Sequence, residues 1–163
     1  MNIGIYVQSL LDLDQIKHIS NLIDREIAGN KKVHDVSIFY DDIGFNPNNT
    51  QCGMFNSTEL WSFNGNLIVT SLGSLNVALK VVNNINIFYY YGWEKEKNVI
   101  NLIMSTLDNV KIICRSEDDQ KEVYRLTGKN PVGISENFKN IIDLLLEHKD
   151  EYKSNNNNVY QTA

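Results

Sequence analysis

An α/β fold with a mainly parallel sheet is predicted by two observations on this 163-residue chain. Short, β-branched apolar runs alternate with amphipathic runs about five times along the sequence. Several of the short runs are apolar almost throughout, as strands covered on both faces must be. Right-handed crossovers then leave few arrangements other than a doubly wound, Rossmann-like sheet of about five to six strands with helices on both faces. A single domain over 1–154 accommodates the pattern. The end of the chain, "NNNNVYQTA" (155–163), has no buryable pattern and is expected to be disordered.

The elements follow in order. "NIGIYV" (2–7) reads as a buried strand. "DLDQIKHISNLIDREIAG" places Leu13, Ile16, Ile19, Ile23 and Ile27 at three- and four-residue steps, an amphipathic helix capped by Asp12 and closed by Gly29. "HDVSIFYDD" is a second strand, and "IGFNPNNTQCG" (43–53) a turn-rich loop. "STELWSF" allows one helical turn with Ser57 as its cap. "NLIVTS" (66–71), "INIFYYYG" and "VKIICRS" read as strands. "LGSLNVALKVVNN", "WEKEKNVINLIMSTLDN" and "EDDQKEVYRLTG" read as the helices after them. A short strand "PVGIS" precedes one final helix over 136–154, whose apolar face holds Phe138, Ile141, Ile142, Leu145 and Leu146. Within "IFYYYG", Phe88 and Tyr90 face one side of the sheet, and Ile87, Tyr89 and Tyr91 the other.

Composition narrows the function classes. With 42% hydrophobic and 21% charged residues the chain is of globular type. The net charge of −5 argues against a general nucleic-acid binder, which shows a basic face. No run is long and apolar enough to cross a membrane, and Asp12 and Asp14 interrupt the N-terminal apolar stretch, which is therefore no signal peptide. Cys52 and Cys114 are expected to be reduced structural thiols, so the compartment read from the sequence is the cytoplasm. His18, His34 and His148 form neither a metal spacing nor a triad, and neither a metal nor a cofactor is read from the chain.

In an open parallel sheet, ligands meet the carboxyl ends of the strands near the switch in strand order. The candidate site residues are therefore Gln8 and Ser9 after the first strand; Ser71, Gly73 and Ser74; Tyr91, Gly92, Trp93 and Glu94; and Arg115, Ser116 and Glu117. Asp41, Asp42, Ser135, Glu136 and Asn137 also follow strands. All of these also suit ordinary caps and polar loops. "TSLGS" places small residues at a helix N-terminus, where an anion such as phosphate is favoured, but it is no dinucleotide fingerprint. Arg115 could hold a phosphate, or pair with Glu94, Glu117 or Asp118. Asp41 and Asp42 are adjacent in a strand, point to opposite faces, and make no two-carboxylate site by themselves. Asp12 and Asp14 read as helix capping rather than metal ligation.

The order of three phrases resembles the N-terminal half of a GT-B glycosyltransferase, small bacteriophage-encoded versions included. "MNIGIYVQSL" is similar to the opening strand and loop, and "INIFYYYGWE" to the middle strand running into a polar, aromatic loop. "VKIICRSEDDQKEVYRLTGKNPVGISENF" resembles the closing stretch before a second domain. The resemblance implies a sugar or sugar nucleotide at the strand ends, a transferase class, and host cytoplasm if the chain is viral. It also implies half an active site, since GT-B enzymes bind most of the donor on a second domain that this chain has no room for. Two functions of different classes follow. In one, a glycosyltransferase-like protein stacks a sugar or base on its aromatics. In the other, a non-catalytic module forms a homodimer or binds another protein through exposed Trp61, Phe63, Tyr89, Tyr91 and Trp93.

Overall fold

The computed structural model describes residues 1–29, 35–44, 51–94, 99, 102–103 and 110–148. The disordered tail expected over 155–163 and His34 lie outside them. One sheet of seven strands, all parallel, organises the chain in the order β3-β2-β1-β4-β5-β6-β7. The strands are β1 (Asn2–Ser9), β2 (Asp35–Asp42), β3 (Gly53–Asn56), β4 (Gly65–Val69), β5 (Ile85–Tyr91), β6 (Lys111–Cys114) and β7 (Gly133–Ile134). The helices are α1 (Leu13–Ala28), α2 (Leu72–Ala78), α3 (Glu117–Thr127) and α4 (Ile141–Glu147), with 3-10 turns at Ser57–Ser62 and Glu136–Phe138. Val99, Leu102 and Ile103, between β5 and β6, are helical as expected.

Strand alternation sorts the core into two layers, one on each face. Ile3, Ile5, Val7, Phe88 and Tyr90 pack with Ile16, Ile19 and Ile23 of α1 and Ile141 and Leu145 of α4. Tyr6, Leu67, Val69, Tyr89 and Tyr91 pack on the other face with Leu72 and Leu75 of α2, Leu102, and Val123 of α3. This is the doubly wound arrangement that the alternation predicts. The split of the tyrosine run across the two faces is also as predicted.

Asp12 caps α1 by accepting from the Gln15 backbone N–H at 3.1 Å, and Gly29 closes it. Leu13 and Ile27, expected on the buried face, stand at the two ends of α1 and are half exposed, while Leu22 is buried in their stead. β3 was not expected. It emerges from the end of the turn-rich loop and raises the strand count to seven, above the expected five to six. Its four residues are too few to show alternation, so it reads as loop. The first 3-10 turn is capped by Asn56, whose Oδ1 accepts from Thr58 N–H at 3.1 Å, rather than by Ser57.

The single final helix expected over 136–154 breaks near its start. Asn137 (φ 49°) and Phe138 (φ 63°) adopt left-handed backbone, a strained conformation costing about 1–3 kcal/mol each. Tertiary contacts hold the turn: Phe138 stacks on Tyr90 with ring centroids 4.3 Å apart, and the Tyr90 hydroxyl donates to Ser135 O at 2.6 Å. α4 then buries Ile141, Ile142, Leu144 and Leu145, and leaves Leu146 partly exposed.

Gly4 occupies a point on β1 where the second layer closes in. A Cβ there would lie 2.8 Å from Leu67 Cδ1, 3.0 Å from Phe39 and 3.1 Å from Phe63. Gly4→Val is expected to overpack this layer and cost about 1–3 kcal/mol, read as a lower urea midpoint with unchanged far-ultraviolet circular dichroism.

Candidate functional site

The chain leaves β1 toward β2 and β3 on one side and resumes at β4 toward β5, β6 and β7 on the other. The connections therefore diverge beyond β1 and β4, where an open α/β sheet has its ligand crevice. A cleft of about 500 Å³ lies there. β1 contributes Gln8 and Ser9, the start of α1 Asp12 and Gln15, and β2 Asp42. The loops after β4 and β5 contribute Thr70, Ser71, Trp93 and Glu94.

Each wall is fixed by local bonding. Ser9 Oγ accepts from Leu11 N–H at 3.1 Å, and Asp42 O accepts from Leu10 N–H at 3.0 Å, which sets the turn out of β1. Thr70 donates to Tyr6 O through both its backbone N–H and its hydroxyl, each at 3.2 Å. Ser71 and Ser74 form a capping box at the start of α2, with their hydroxyl oxygens 2.7 Å apart. Asp12 uses its second oxygen to accept from Trp93 Nε1–H at 3.0 Å, joining α1 to the loop after β5.

Glu94 has a particular place. Its Oε2 accepts from Leu72 N–H at 3.0 Å and from the Tyr89 hydroxyl at 2.8 Å. The anion expected at "TSLGS" is thus the chain's own carboxylate, docked on the first turn of α2. The cleft wall carries the carboxylates of Asp12, Asp42 and Glu94 and is rich in acceptors. Such a surface receives hydroxyl or ammonium donors and repels phosphate. Asp41 turns to the opposite face, as strand geometry requires, and accepts from the Tyr6 hydroxyl at 2.7 Å.

Of the residues singled out in the sequence, Gln8, Ser9, Ser71, Trp93 and Glu94 come together in this cleft. Gly73 stands beside it, its missing Cβ position 3.7 Å from the Gln8 amide. Ser74 is buried in the capping box. Tyr91 is buried, donates to Glu122 at 2.9 Å and does not line the cleft. Gly92 (φ 105°) makes the turn out of β5, where a side chain would meet Asp119. Ser116 caps α3 by accepting from Asp119 N–H at 3.2 Å, and Glu117 belongs to that helix's acidic first turn.

Arg115 pairs with Asn137 rather than with Glu94, Glu117 or Asp118. Its guanidinium lies 4.3 Å from the Trp93 ring centroid and donates from Nε and Nη2 to Asn137 Oδ1 at 3.2 and 2.9 Å. The left-handed backbone at Asn137 is what brings that amide within reach. The aromatic anchors proposed for a protein interface are corrected as well. Tyr89 and Tyr91 are buried, Phe63 and Trp93 are partly buried against the two core layers, and Trp61 is exposed.

Asp12, Gln15, Asp42 and Thr70 complete the cleft; of these the sequence marks Asp42 as a strand-end residue and Asp12 as a helix cap, and gives Gln15 and Thr70 no site role. The strand "NLIVTS" expected from the sequence includes Thr70, whereas β4 ends at Val69 and leaves Thr70 in the loop. Gln15 is a polar residue buried on α1, a signal visible in the helical pattern. Cys52 and Cys114 are not joined in a disulfide. Among the described residues, no group of three His, Cys, Asp or Glu is placed to hold a metal ion, and no helix is long and apolar enough to cross a membrane.

Burial, reinforced by neighbouring carboxylates, raises the Tyr89 phenol (Glu94) and the Tyr6 phenol (Asp41) well above the ordinary value near 10, and burial pushes Tyr90 up to about 12. The unfolded chain ionises these phenols near pH 10, whereas the folded chain keeps them protonated. The Tyr90 contribution is therefore complete below pH 10 and lost as the pH climbs through 12, and those of Tyr6 and Tyr89 are lost at still higher pH. Alkaline denaturation followed by phenolate absorbance is expected to release these tyrosines together with unfolding, and Tyr90→Phe is expected to flatten the pH dependence of stability in that window.

No protein-family model matches the chain, and neither a curated protein nor a solved structure is found to be similar to it.

Proposed function

We propose that this chain is a glycosyltransferase-like binding protein that takes a sugar, free or as the sugar part of a nucleotide sugar, in the cleft beyond β1 and β4. The observation that carries this reading is the acceptor-rich wall at the strand-order switch. Asp12, Asp42 and Glu94 stand there with the Gln8 amide and the Thr70 hydroxyl. A sugar presents a ring of hydroxyl donors, and carboxylates make the stronger, charge-assisted bonds to such groups. The resemblance of "MNIGIYVQSL" and "INIFYYYGWE" to the N-terminal half of GT-B glycosyltransferases supports the choice of a sugar over other polyhydroxyl ligands. In this reading the sugar hydroxyls face the carboxylates, and a diphosphate, if present, points away from them. Trp93 and Arg115 act as the wall behind Asp12.

A second reading, a non-catalytic module that self-associates or binds a protein, is favoured by one set of exposures. Leu11 and Ile43 are exposed near the cleft mouth, with Leu11 lying against Gly44, and Phe55 and Trp61 are exposed beyond the core edge.

The test is a thermal-shift and calorimetric screen of the chain with monosaccharides and with UDP-, GDP- and CMP-sugars, since a ligand of the folded state raises Tm by mass action. A saturable rise is expected for at least one sugar. Asp42→Asn, whose carboxylate holds no described partner, is expected to weaken that ligand about tenfold without lowering the melting temperature of the free protein. Absence of any rise at millimolar sugar, together with a stable oligomer by light scattering, would overturn the sugar reading in favour of the second.

A further inference from the structure

A second cleft, of about 660 Å³, runs down the side of α1 opposite the Asn137–Lys139 turn. It is separated from the first by Trp93, whose ring meets His18 edge-on at 5.8 Å. Its chemistry is the reverse of the first. Arg25 and Lys139 outnumber Asp24 in its lining, and the side-chain amides of Asn21 and Asn137 stand beside them.

Arg25 is oriented by two backbone carbonyls. Its Nε donates to Asn21 O at 3.1 Å and its Nη1 to Lys139 O at 3.4 Å, tying α1 to the turn. Among the described residues, nothing accepts from its Nη2. Asn137 gives its Oδ1 to Arg115, so its amide group has two N–H donors left. Lys139 reaches the exposed Glu136 at 3.1 Å, a surface pair of little strength that an incoming anion can replace. His18 is paired with the exposed Asp14 at 3.6 Å. The cleft thus offers a fork-shaped guanidinium, an ammonium and the amide N–H groups of Asn21 and Asn137 as donors, beside the acceptors Asp24 and Asn21 Oδ1.

We propose that this cleft is an oxyanion site that takes a phosphoryl group, with Arg25 and Lys139 as its principal ligands and Asn21 and Asn137 completing the donor set. A planar guanidinium and an exposed ammonium match the charge and geometry of phosphate oxygens. The strained backbone at Asn137 and Phe138 is consistent with this role, because it places the Asn137 amide opposite α1. The inference does not rest on the sugar reading of the first cleft.

The experiment is an amide-resolved NMR titration of the full chain with inorganic phosphate at fixed ionic strength, using chloride as the control. Saturable shifts are expected at His18, Asn21, Arg25 and Asn137, and none at Asp42 or Thr70. Lys139→Gln and Arg25→Gln are each expected to weaken phosphate about tenfold, the size of one charge-assisted hydrogen bond, and Asp24→Asn to strengthen it. Arg25→Gln also cuts the tie between α1 and the turn, so its melting curve is measured alongside. Lys139→Gln, which removes only an exposed pair, decides the matter if that variant fails to fold. Shifts matched by chloride, shifts confined to the first cleft, or unchanged affinity in Lys139→Gln would overturn the proposal.

Discussion

A strand covered by helices on both sides has no water along its length, so every hydroxyl placed on it must find a partner at the strand's end. β5 carries three consecutive tyrosines under that constraint, and much of the surrounding architecture answers it. Tyr89 reaches Glu94, Tyr90 reaches the carbonyl of Ser135, and Tyr91 reaches Glu122. These bonds fix the loop after β5, the turn after β7 and a face of α3. They hold in place the elements that border both clefts. The tyrosine run is thus less a patch of unusual chemistry than a set of three fasteners.

Around these fasteners the loops are further locked by stacking. Trp93 is gripped by Asp12 through its indole N–H, by Arg115 over its ring and by Phe138 and His18 at its flanks. Arg115 in turn is oriented by Asn137, at the cost of left-handed backbone there. The same few side chains therefore set the acceptor-rich cleft on one side of Trp93 and the donor-rich cleft on the other. Opposite electrostatic character is maintained across a single indole because each charged group near it has a fixed partner or opens to water.

The layered sheet could be read from the sequence because its strands are apolar and β-branched, and the helices between them keep their period. The two-faced division of Phe88, Tyr89, Tyr90 and Tyr91 follows from alternation alone. β3 was not legible, since four residues at an edge carry no periodic signal. The break at Asn137 was also hidden: the apolar spacing from Phe138 to Leu145 continues through it, and only tertiary contacts with Tyr90 and Arg115 enforce it. At the cleft, strand-end position pointed to Gln8, Ser9, Asp42, Ser71, Trp93 and Glu94. It could not reveal that Asp12 serves both as a helix cap and as a wall, because the second role depends on Trp93, far away in the chain.

The sheet's borders carry a consequence for assembly. β7 has two residues and β3 has four, so neither edge offers a long ladder of unpaired backbone groups. Short borders of this kind resist the addition of a foreign strand, the usual route by which open sheets aggregate or exchange segments. A lasting contact between two copies would have to be built from side chains, such as the exposed Phe55 and Trp61, and would be correspondingly specific in its geometry.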